Sequence, residues 1–292
     1  MRAVHDTVVG ELARLGGISV LQMEEQYAIF AQQVMRHPER HGWRIEGQIS
    51  SYVDEDVFAM PTAVGQLIDL GEYEGTTDFR AAILSEWTHV IDFLDHCYHS
   101  TCDRFRALHS HDLAPGAARV LEWLMERGVD ITFATNAPAE KVTQWFHHQG
   151  FEVADARVTT REQSKLRVYG RAGKQWLGAS GDSMDYGGRR VAVDRPQYRQ
   201  IIEHEKPDLI VGDVLSLDLS LPLAMRKNGD SAAPTAIGLM QMTHTPQWAT
   251  QGVGSHAGAV DWLVPHVTSL PRLITRAFDR TDPTPTTVGA SL

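Results

Sequence analysis

The chain has 292 residues, of which 42% are hydrophobic and 22% are charged. This composition is typical of a folded globular protein and excludes wholesale disorder or a fibrous repeat. Acidic residues outnumber basic ones by 37 to 27, which gives a net charge of −10 with histidine neutral. Because a surface of that sign repels a phosphate backbone, we expect no nucleic-acid partner.

Three further features bear on the compartment. No apolar run approaches the length of a membrane span, and the first residues lack the layout of a signal peptide, so we expect no membrane association. The two cysteines, Cys97 and Cys102, are five residues apart. On a helix they would point about 140° apart around the axis and would not form a disulfide. These features predict a reduced, cytoplasmic protein.

The first part of the chain has a helical pattern. A helix is predicted from Gln22 to Met35, and apolar side chains recur at helical spacing from Asp78 to Leu108. There is little strand pattern between residues 18 and 110, so this segment is predicted to be an all-helical module. Its apolar residues are expected to pack within the module or against a second copy of the chain, as in a homodimer.

From about residue 113 onward, helix and strand patterns alternate. The predicted strands are 131–134, 209–211, 236–240 and 261–264, and the predicted helices begin near residues 117, 139, 219 and 270. Strands separated by helices of this length predict a parallel sheet that is covered on both faces. The predicted fold class is therefore α/β, with a three-layer Rossmann-like core and an inserted all-helical cap.

Two segments of the second half do not follow this alternation of helix and strand patterns. Residues 167–169 and 190–193 flank a glycine-rich stretch, which predicts a β-hairpin inserted between core elements. Residues 280–292 are rich in threonine and proline and are predicted to be a disordered tail.

A pair of aspartates follows the second core strand, in the stretch Val211-Gly212-Asp213 to Asp218. Two carboxylates at the carboxyl edge of a parallel sheet can converge on one hard cation, which predicts a metal site at Asp213 and Asp218. The same pattern also fits a loop aspartate followed by an aspartate that caps a helix.

A second polar pair, Thr135 and Asn136, ends the first core strand, and a helix begins after Pro138. A hydroxyl, an amide and free helix N–H groups would then face one space of the size of an anion. An ordinary helix N-cap is the alternative interpretation of this pair.

In this order and on this alternating pattern, the two sites resemble the haloacid dehalogenase (HAD) superfamily of hydrolases. The resemblance covers roughly residues 113–278 and implies an α/β core over 1–17 and 111–279, with a cap over 18–110 that closes over a small-molecule substrate. It implies that Thr135 and Asn136 bind phosphoryl oxygens. It also implies that Asp213 and Asp218 hold Mg²⁺.

The family's first motif is a strand that ends in Asp-x-Asp, and the segment from Ala3 to Val8 is the candidate for it. The resemblance makes Asp6 the nucleophile and a further ligand of Mg²⁺. Val8 stands where the phosphatases of the family carry a second aspartate as general acid/base, so protonation of the leaving group needs another donor. The alternative interpretation is that residues 1–14 simply begin a helix.

The family's third motif supplies a cation that offsets the charge on nucleophile and phosphate. Arg195 lies 18 residues before Asp213, where the family often has lysine. An arginine also binds oxyanions and keeps its charge, so it can take this role. Lys174 is the other candidate for the same role.

Together these residues predict a Mg²⁺-dependent phosphatase of a small phosphorylated metabolite. In that scheme Asp6 attacks phosphorus and water then releases an aspartyl-phosphate. A dehalogenase-type hydrolase that attacks carbon is a second possibility, but it works without metal and the kept aspartate pair argues against it. A third possibility is a degenerate member of the family that binds a ligand or partner without turnover.

Overall fold

The computed structural model describes residues 2–108, 112–255 and 258–278. Within these ranges the chain is a mixed α/β protein with an N-terminal, mainly helical part and a C-terminal α/β part. The helices of the first part are α1 (Arg2–Gly16), α2 (Val20–Arg36), α3 (Ala59–Leu70), α4 (Thr76–Leu84) and α5 (Val90–Leu108), and its strands are β1 (Gly42–Ile45) and β2 (Gln48–Tyr52).

The predicted strand before Asp6 is wrong, because residues 2–16 form helix α1. Val4, Val8, Val9 and Leu12 are buried on one side of this helix and join the core of the helical part. Their spacing of four, one and three residues follows the turn of a helix and not the alternation of a strand. Residues 2–17 therefore pack on α2, α4 and α5, and the predicted assignment of residues 1–17 to the α/β core is wrong for them.

The all-helical prediction for residues 18–110 is also wrong, because β1 and β2 form an antiparallel hairpin inside this segment. Glu46 and Gly47 both have positive φ, 48° and 83°, as in a tight hairpin turn. The predicted helical run from residue 78 to 108 is split between α4 and α5. The carboxylate of Asp92 accepts a hydrogen bond from the backbone N–H of His89 (3.1 Å), which defines the new start.

The second part of the chain contains both helices and strands. Its helices are α6 (Ala117–Glu126), α7 (Ala139–His148), α8 (Pro196–Glu205), α9 (Ser220–Lys227) and α10 (Leu270–Phe278). Its strands are β3 (Ile131–Ala134), β4 (Ala154–Asp155), β5 (Leu166–Tyr169), β6 (Ser183–Tyr186), β7 (Arg189–Ala192), β8 (Leu209–Gly212), β9 (Ala236–Met240) and β10 (Trp262–Val264). The predicted core strands at 131–134 and 236–240 are confirmed to the residue.

The core strands pair in parallel, but in two separate groups of three. One sheet has the order β10-β9-β8 and the other the order β3-β5-β4. Within the described residues no ladder joins β8 to β3, so each of these two strands has one unpaired edge. Helix α8 connects the two sheets, because its Tyr198 and Ile202 pack with Ala134 of β3 and with Ile210 of β8.

The predicted hairpin of residues 167–169 with 190–193 is wrong. Strand β5 pairs in parallel with β3 and β4, and all four of its residues are buried, as expected for a central strand. Strand β7 pairs instead with β6, a strand that the sequence pattern did not indicate.

The helical part meets the α/β part along β2 and β7. The hydroxyl of Tyr52 donates to the carbonyl of Arg190 (2.7 Å), and its ring packs edge-on against Trp248 at 5.5 Å between centroids. The carboxylate of Asp54 accepts hydrogen bonds from Arg189 (2.7 Å) and from the indole of Trp248 (3.1 Å). These contacts hold the end of β2 and the residues after it against β7 and Trp248.

None of the helices within the described ranges combines the length and the apolar character that spanning a bilayer requires. The predicted disordered tail, residues 280–292, lies outside the described residues.

Candidate functional site

The aspartate pair lies where β8 ends. From Gly212 the chain passes through Asp213 into a single π-helical turn, Leu215–Leu219, and then into α9. One oxygen of Asp218, Oδ2, accepts hydrogen bonds from the backbone N–H groups of Asp213 and Val214, both at 3.1 Å. The carboxylate of Asp218 therefore folds back onto the end of the strand.

This fold-back depends on a glycine at position 212. A Cβ at Gly212 would lie 2.3 Å from Cβ of Asp218 and 2.8 Å from its Oδ2. Contacts that short do not occur, so the close approach of the carboxylate to the strand requires the missing side chain.

Lys174 joins the two predicted polar pairs into one site. Its ammonium Nζ lies 2.6 Å from Oδ1 of Asp218, and its backbone N–H donates to Oδ1 of Asn136 at 2.9 Å. The backbone of Thr135 exchanges hydrogen bonds with the segment before Lys174, since its N–H donates to Tyr169 and its carbonyl accepts from Ala172. Lys174 therefore contacts Asn136 and Asp218 directly, whereas Thr135 is linked to the same region through its backbone and its hydroxyl accepts from the N–H of Ala137 (3.2 Å).

The two carboxylates of the site differ in their electrostatics. Burial and the neighbouring charge of Asp218 raise the pKa of Asp213 above its usual range. Burial alone would raise the pKa of Asp218 as well, but the charge and hydrogen bond of Lys174 outweigh it, together with the two backbone N–H groups. The pKa of Asp218 is therefore held below its usual range, and Asp218 is ionised at neutral pH.

The guanidinium of Arg195 is buried and hydrogen-bonded within the protein, and it is not an exposed cation. Only 1% of its surface is exposed. Its guanidinium donates to a set of surrounding oxygen atoms, namely those of Ser50, Lys174, Ala192, Ser216 and Ser220. Burial lowers the pKa of Arg195 to about 10. Because the guanidinium donors of Arg195 already form hydrogen bonds within the protein, the structure favours Lys174 over Arg195 as the cation of the site.

A buried carboxylate that the sequence reasoning missed supports the same region. Glu55, which follows β2, accepts hydrogen bonds from the backbone N–H of Ser216 (3.0 Å), from the Ser216 hydroxyl and from the backbone N–H of Tyr52 (3.1 Å). Burial raises the pKa of Glu55 to about 7. Its position carried no sequence signal, because its partner Ser216 is 161 residues away.

Asp6 is not brought to this site. It lies on α1, its side chain is 56% exposed, and its carboxylate is 3.3 Å from His5. Within the described part of the chain, His5, Asp6 and Glu24 form a group whose possible ligand atoms lie within 4.8 Å of one another. This group is on the surface of the helical part, and exposed acidic groups of this kind are common without a metal.

A cavity of about 290 Å³ lies beside the site, between β3 and β8. We call it the slot. Its lining includes Thr132 and Ala134 of β3, residues 209–213 of β8 and following, and Lys174 and Asp218 of the site. Glu205 of α8 also forms part of the wall of the slot.

Glu205 is fully engaged by its own neighbours. Both of its oxygens accept from the guanidinium of Arg167 (3.0 and 2.7 Å), and it also accepts from the hydroxyls of Tyr169 (2.9 Å) and Thr132 (3.1 Å). Burial would raise the pKa of Glu205, but these hydrogen bonds outweigh it and lower the pKa. The carboxylate therefore closes the slot with a satisfied ion pair and not with a reactive group.

The sequence matches no family model, and neither a curated protein nor a solved structure is similar to it. The chemistry of the site is therefore read from its own side chains. Two carboxylates, an ammonium, an amide and a hydroxyl at the carboxyl ends of parallel strands can bind a hard cation and an oxyanion side by side.

Proposed function

We propose that this chain binds Mg²⁺ and the phosphoryl group of a small phosphorylated metabolite, as a HAD-like protein with a Rossmann-like core and a helical cap. The observation that carries the proposal is that Lys174 contacts both polar pairs, through its ammonium to Asp218 (2.6 Å) and through its backbone N–H to Asn136 (2.9 Å). These contacts support the proposal that the residues expected to hold the metal and those expected to hold the phosphoryl oxygens belong to one site.

The donor set of the site fits Mg²⁺. Asp213 and Asp218 face each other closely enough for the charge of one to raise the pKa of the other. A divalent cation between them would remove this repulsion, and carboxylate oxygens are the ligands that Mg²⁺ prefers. When bound, the ion would neutralise charge on a phosphoryl group.

The oxyanion side of the site would consist of Thr135, Asn136 and Lys174, next to the N-terminus of α7. The start of α7 lies close to Gly170, which follows β5, because a Cβ at this position would lie only 2.1 Å from the backbone nitrogen of Ala139 and the glycine has none. The first N–H groups of α7 and the ammonium of Lys174 would then both favour a bound anion.

The geometry best supports a protein that binds these ligands and does not turn them over with Asp6 as the nucleophile. An aspartyl-phosphate requires the nucleophile to touch phosphorus, and Asp6 lies on the outer side of α1 with His5 and Glu24 as its neighbours. Hydrolysis remains the second candidate, because the residues expected for Mg²⁺ and phosphate are present together. The dehalogenase-type reaction is disfavoured by the same aspartate pair.

The first prediction separates these forms through Asp6. The protein is incubated with p-nitrophenyl phosphate and Mg²⁺, beside the variants Asp6→Asn and Asp213→Asn. We expect any release of nitrophenolate to be the same in wild type and in Asp6→Asn. Loss of measurable turnover only in Asp6→Asn would establish Asp6 as the nucleophile and overturn the binding form.

The second prediction concerns the metal. Removing the charge of Asp213 with Asp213→Asn should weaken Mg²⁺ binding roughly tenfold or more, since disturbed metal sites typically lose 10–100-fold in affinity. Calorimetric titration of Mg²⁺ measures this directly. Asp185→Asn is the matched control, because Asp185 is an exposed aspartate on β6. Equal affinities for Mg²⁺ in both variants would exclude the metal site.

The third prediction concerns the oxyanion. Lys174→Met should lower the affinity for orthovanadate or inorganic phosphate by roughly tenfold, since charge-assisted hydrogen bonds contribute about 1.5–3 kcal/mol. Lys165→Met is the matched control, because Lys165 forms an exposed pair with Asp130. Binding of phosphate that is unchanged in Lys174→Met would mean that the ammonium serves only to pair with Asp218.

A further inference from the structure

The slot is bordered by an unpaired edge of β3. The N–H groups of Ile131 and Thr135 donate to carbonyls on the β5 side, at 2.7 and 3.0 Å. Since successive residues of a strand direct their hydrogen-bonding groups to opposite sides, those of Thr132 and Ala134 are directed away from β5. These two residues line the slot.

The facing edge of β8 is unpaired in the same way. The carbonyl of Asp208 accepts from the N–H of Ala236 at 2.9 Å and is therefore directed toward β9. By the same alternation, the backbone groups of Leu209 and Val211 are directed away from β9, and both residues line the slot. Two parallel edges thus face one cavity with unmatched donors and acceptors.

The walls of the slot are partly apolar. On one side α8 presents Ile201 and Ile202 beside Ala134 and Ile210. The polar side chains that also line the slot are those of Thr132, Lys174, Glu205, Asp213 and Asp218. On the opposite face of β3, helix α6 packs with Ile131 and Phe133.

We propose that the slot receives an extended, apolar segment of a partner polypeptide, which becomes a parallel strand between β3 and β8 and joins the two sheets into one of seven strands. A strand in this place continues both existing ladders. This proposal does not depend on the proposed binding of Mg²⁺ or phosphate.

The occupant is a polypeptide because only a backbone matches both edges. Its N–H and C=O groups repeat every residue at about 3.3 Å, with alternate residues directed to opposite sides, which is the spacing that unpaired parallel strands offer. A small molecule in the slot would leave most of the four inward-facing residues unmatched. Because helices cover both faces, the segment is expected to be an unbroken apolar run and not an alternating one.

The test uses a fluorescent synthetic peptide with the core Val-Val-Ile-Val-Val and neutral polar ends, added to the full chain. Anisotropy measures its binding, and hydrogen exchange measures protection of the amides. We expect saturable binding, with exchange slowed at Thr132, Ala134, Leu209 and Val211. The control peptide carries proline in place of the central isoleucine, which removes a donor and breaks the ladder.

Two matched variants of the chain test whether the peptide binds in the slot. Ile201→Glu puts a charge on the wall of the slot and should weaken binding roughly tenfold or more, the equivalent of losing one buried apolar contact. Ile29→Glu makes the same change on α2, where Ile29 is 43% exposed, and should leave the affinity unchanged. Circular dichroism confirms that both variants are folded.

Three results would overturn the proposal. The first is no binding of the apolar peptide up to about 1 mM, which corresponds to a binding free energy smaller than about 4 kcal/mol. The second is equal binding of the proline peptide, and the third is equal weakening of binding by both glutamate variants. Protection by a second copy of the chain at high concentration, without any effect of the peptide, would identify the chain itself as the occupant and would also count against it. Mg²⁺ titration of the same samples reports separately on Asp213.

Discussion

Replacing Arg195 by methionine is expected to lower the free energy of unfolding by about 3–5 kcal/mol, the range observed when one partner of a buried charged network is removed. The guanidinium holds three separate segments, since it donates to Ser50 on β2, to the carbonyl of Lys174 and to the carbonyl of Ser216 (2.6 Å). Methionine fills a similar volume but leaves these buried oxygens without donors. Urea unfolding followed by tryptophan fluorescence measures the change.

Arg199→Met is the control for Arg195→Met. Arg199 lies four residues further on, within α8, is 44% exposed and pairs with Glu203 at 2.7 Å and with Asp230. Because both pairs are solvent-accessible, its removal should change the free energy of unfolding by less than about 1 kcal/mol. The contrary outcome is a stable Arg195→Met protein that has lost affinity for phosphate. That result would restore Arg195 as the cation of the site.

The second large effect is a dependence of stability on pH through Glu55. Burial raises the pKa of this carboxyl from 4.5 to about 7. Between these two values the folded protein binds a proton that the unfolded chain does not, so stability contributed by this group falls as pH rises from about 4.5 to 7. The change is of the order of 3 kcal/mol, since one pKa unit corresponds to about 1.4 kcal/mol.

The charged and titratable groups around Glu55 are Asp56, Asp54 and Arg195, with Tyr52 beside them. Glu55→Gln keeps the shape and removes the titration, so unfolding by urea at pH 5 and pH 8 isolates its share. The difference in unfolding free energy between variant and wild type should change by about 2–3 kcal/mol between these pH values, in favour of the variant at pH 8. A constant difference would show that Glu55 does not titrate in this range.

Some elements follow from local sequence and others do not. Strand β3 agrees with its predicted bounds to the residue and α7 begins at its predicted position, because a short apolar run, a polar pair and a proline mark these boundaries locally. In α1 the two kinds of sequence signal disagree, because the resemblance to a family motif predicts a strand whereas the spacing of Val4, Val8 and Leu12 is that of the helix observed. The partner of β7 was missed because β6, Ser183–Tyr186, has only one strongly apolar residue.

Some residues of the candidate site can also be predicted from local sequence, and others cannot. Asp218, Asn136 and Thr135 were found because each follows or precedes a strand end that the pattern marks. The role of Arg195 was not predictable, because its partner Ser50 is 145 residues away. Only the packing of β2 against β7 brings the two together.

The contact between Gly212 and Asp218 limits how this site can vary from one sequence to another. An alanine at 212 would place its methyl group 2.3 Å from Cβ of Asp218, so a side chain at 212 and the folded-back carboxylate at 218 exclude each other. A chain that gained a side chain at 212 would have to give up the two backbone hydrogen bonds to Asp218 and its contact with Lys174 in the same step. The site in this form therefore requires glycine at 212 for as long as the aspartate at 218 folds back onto the end of the strand.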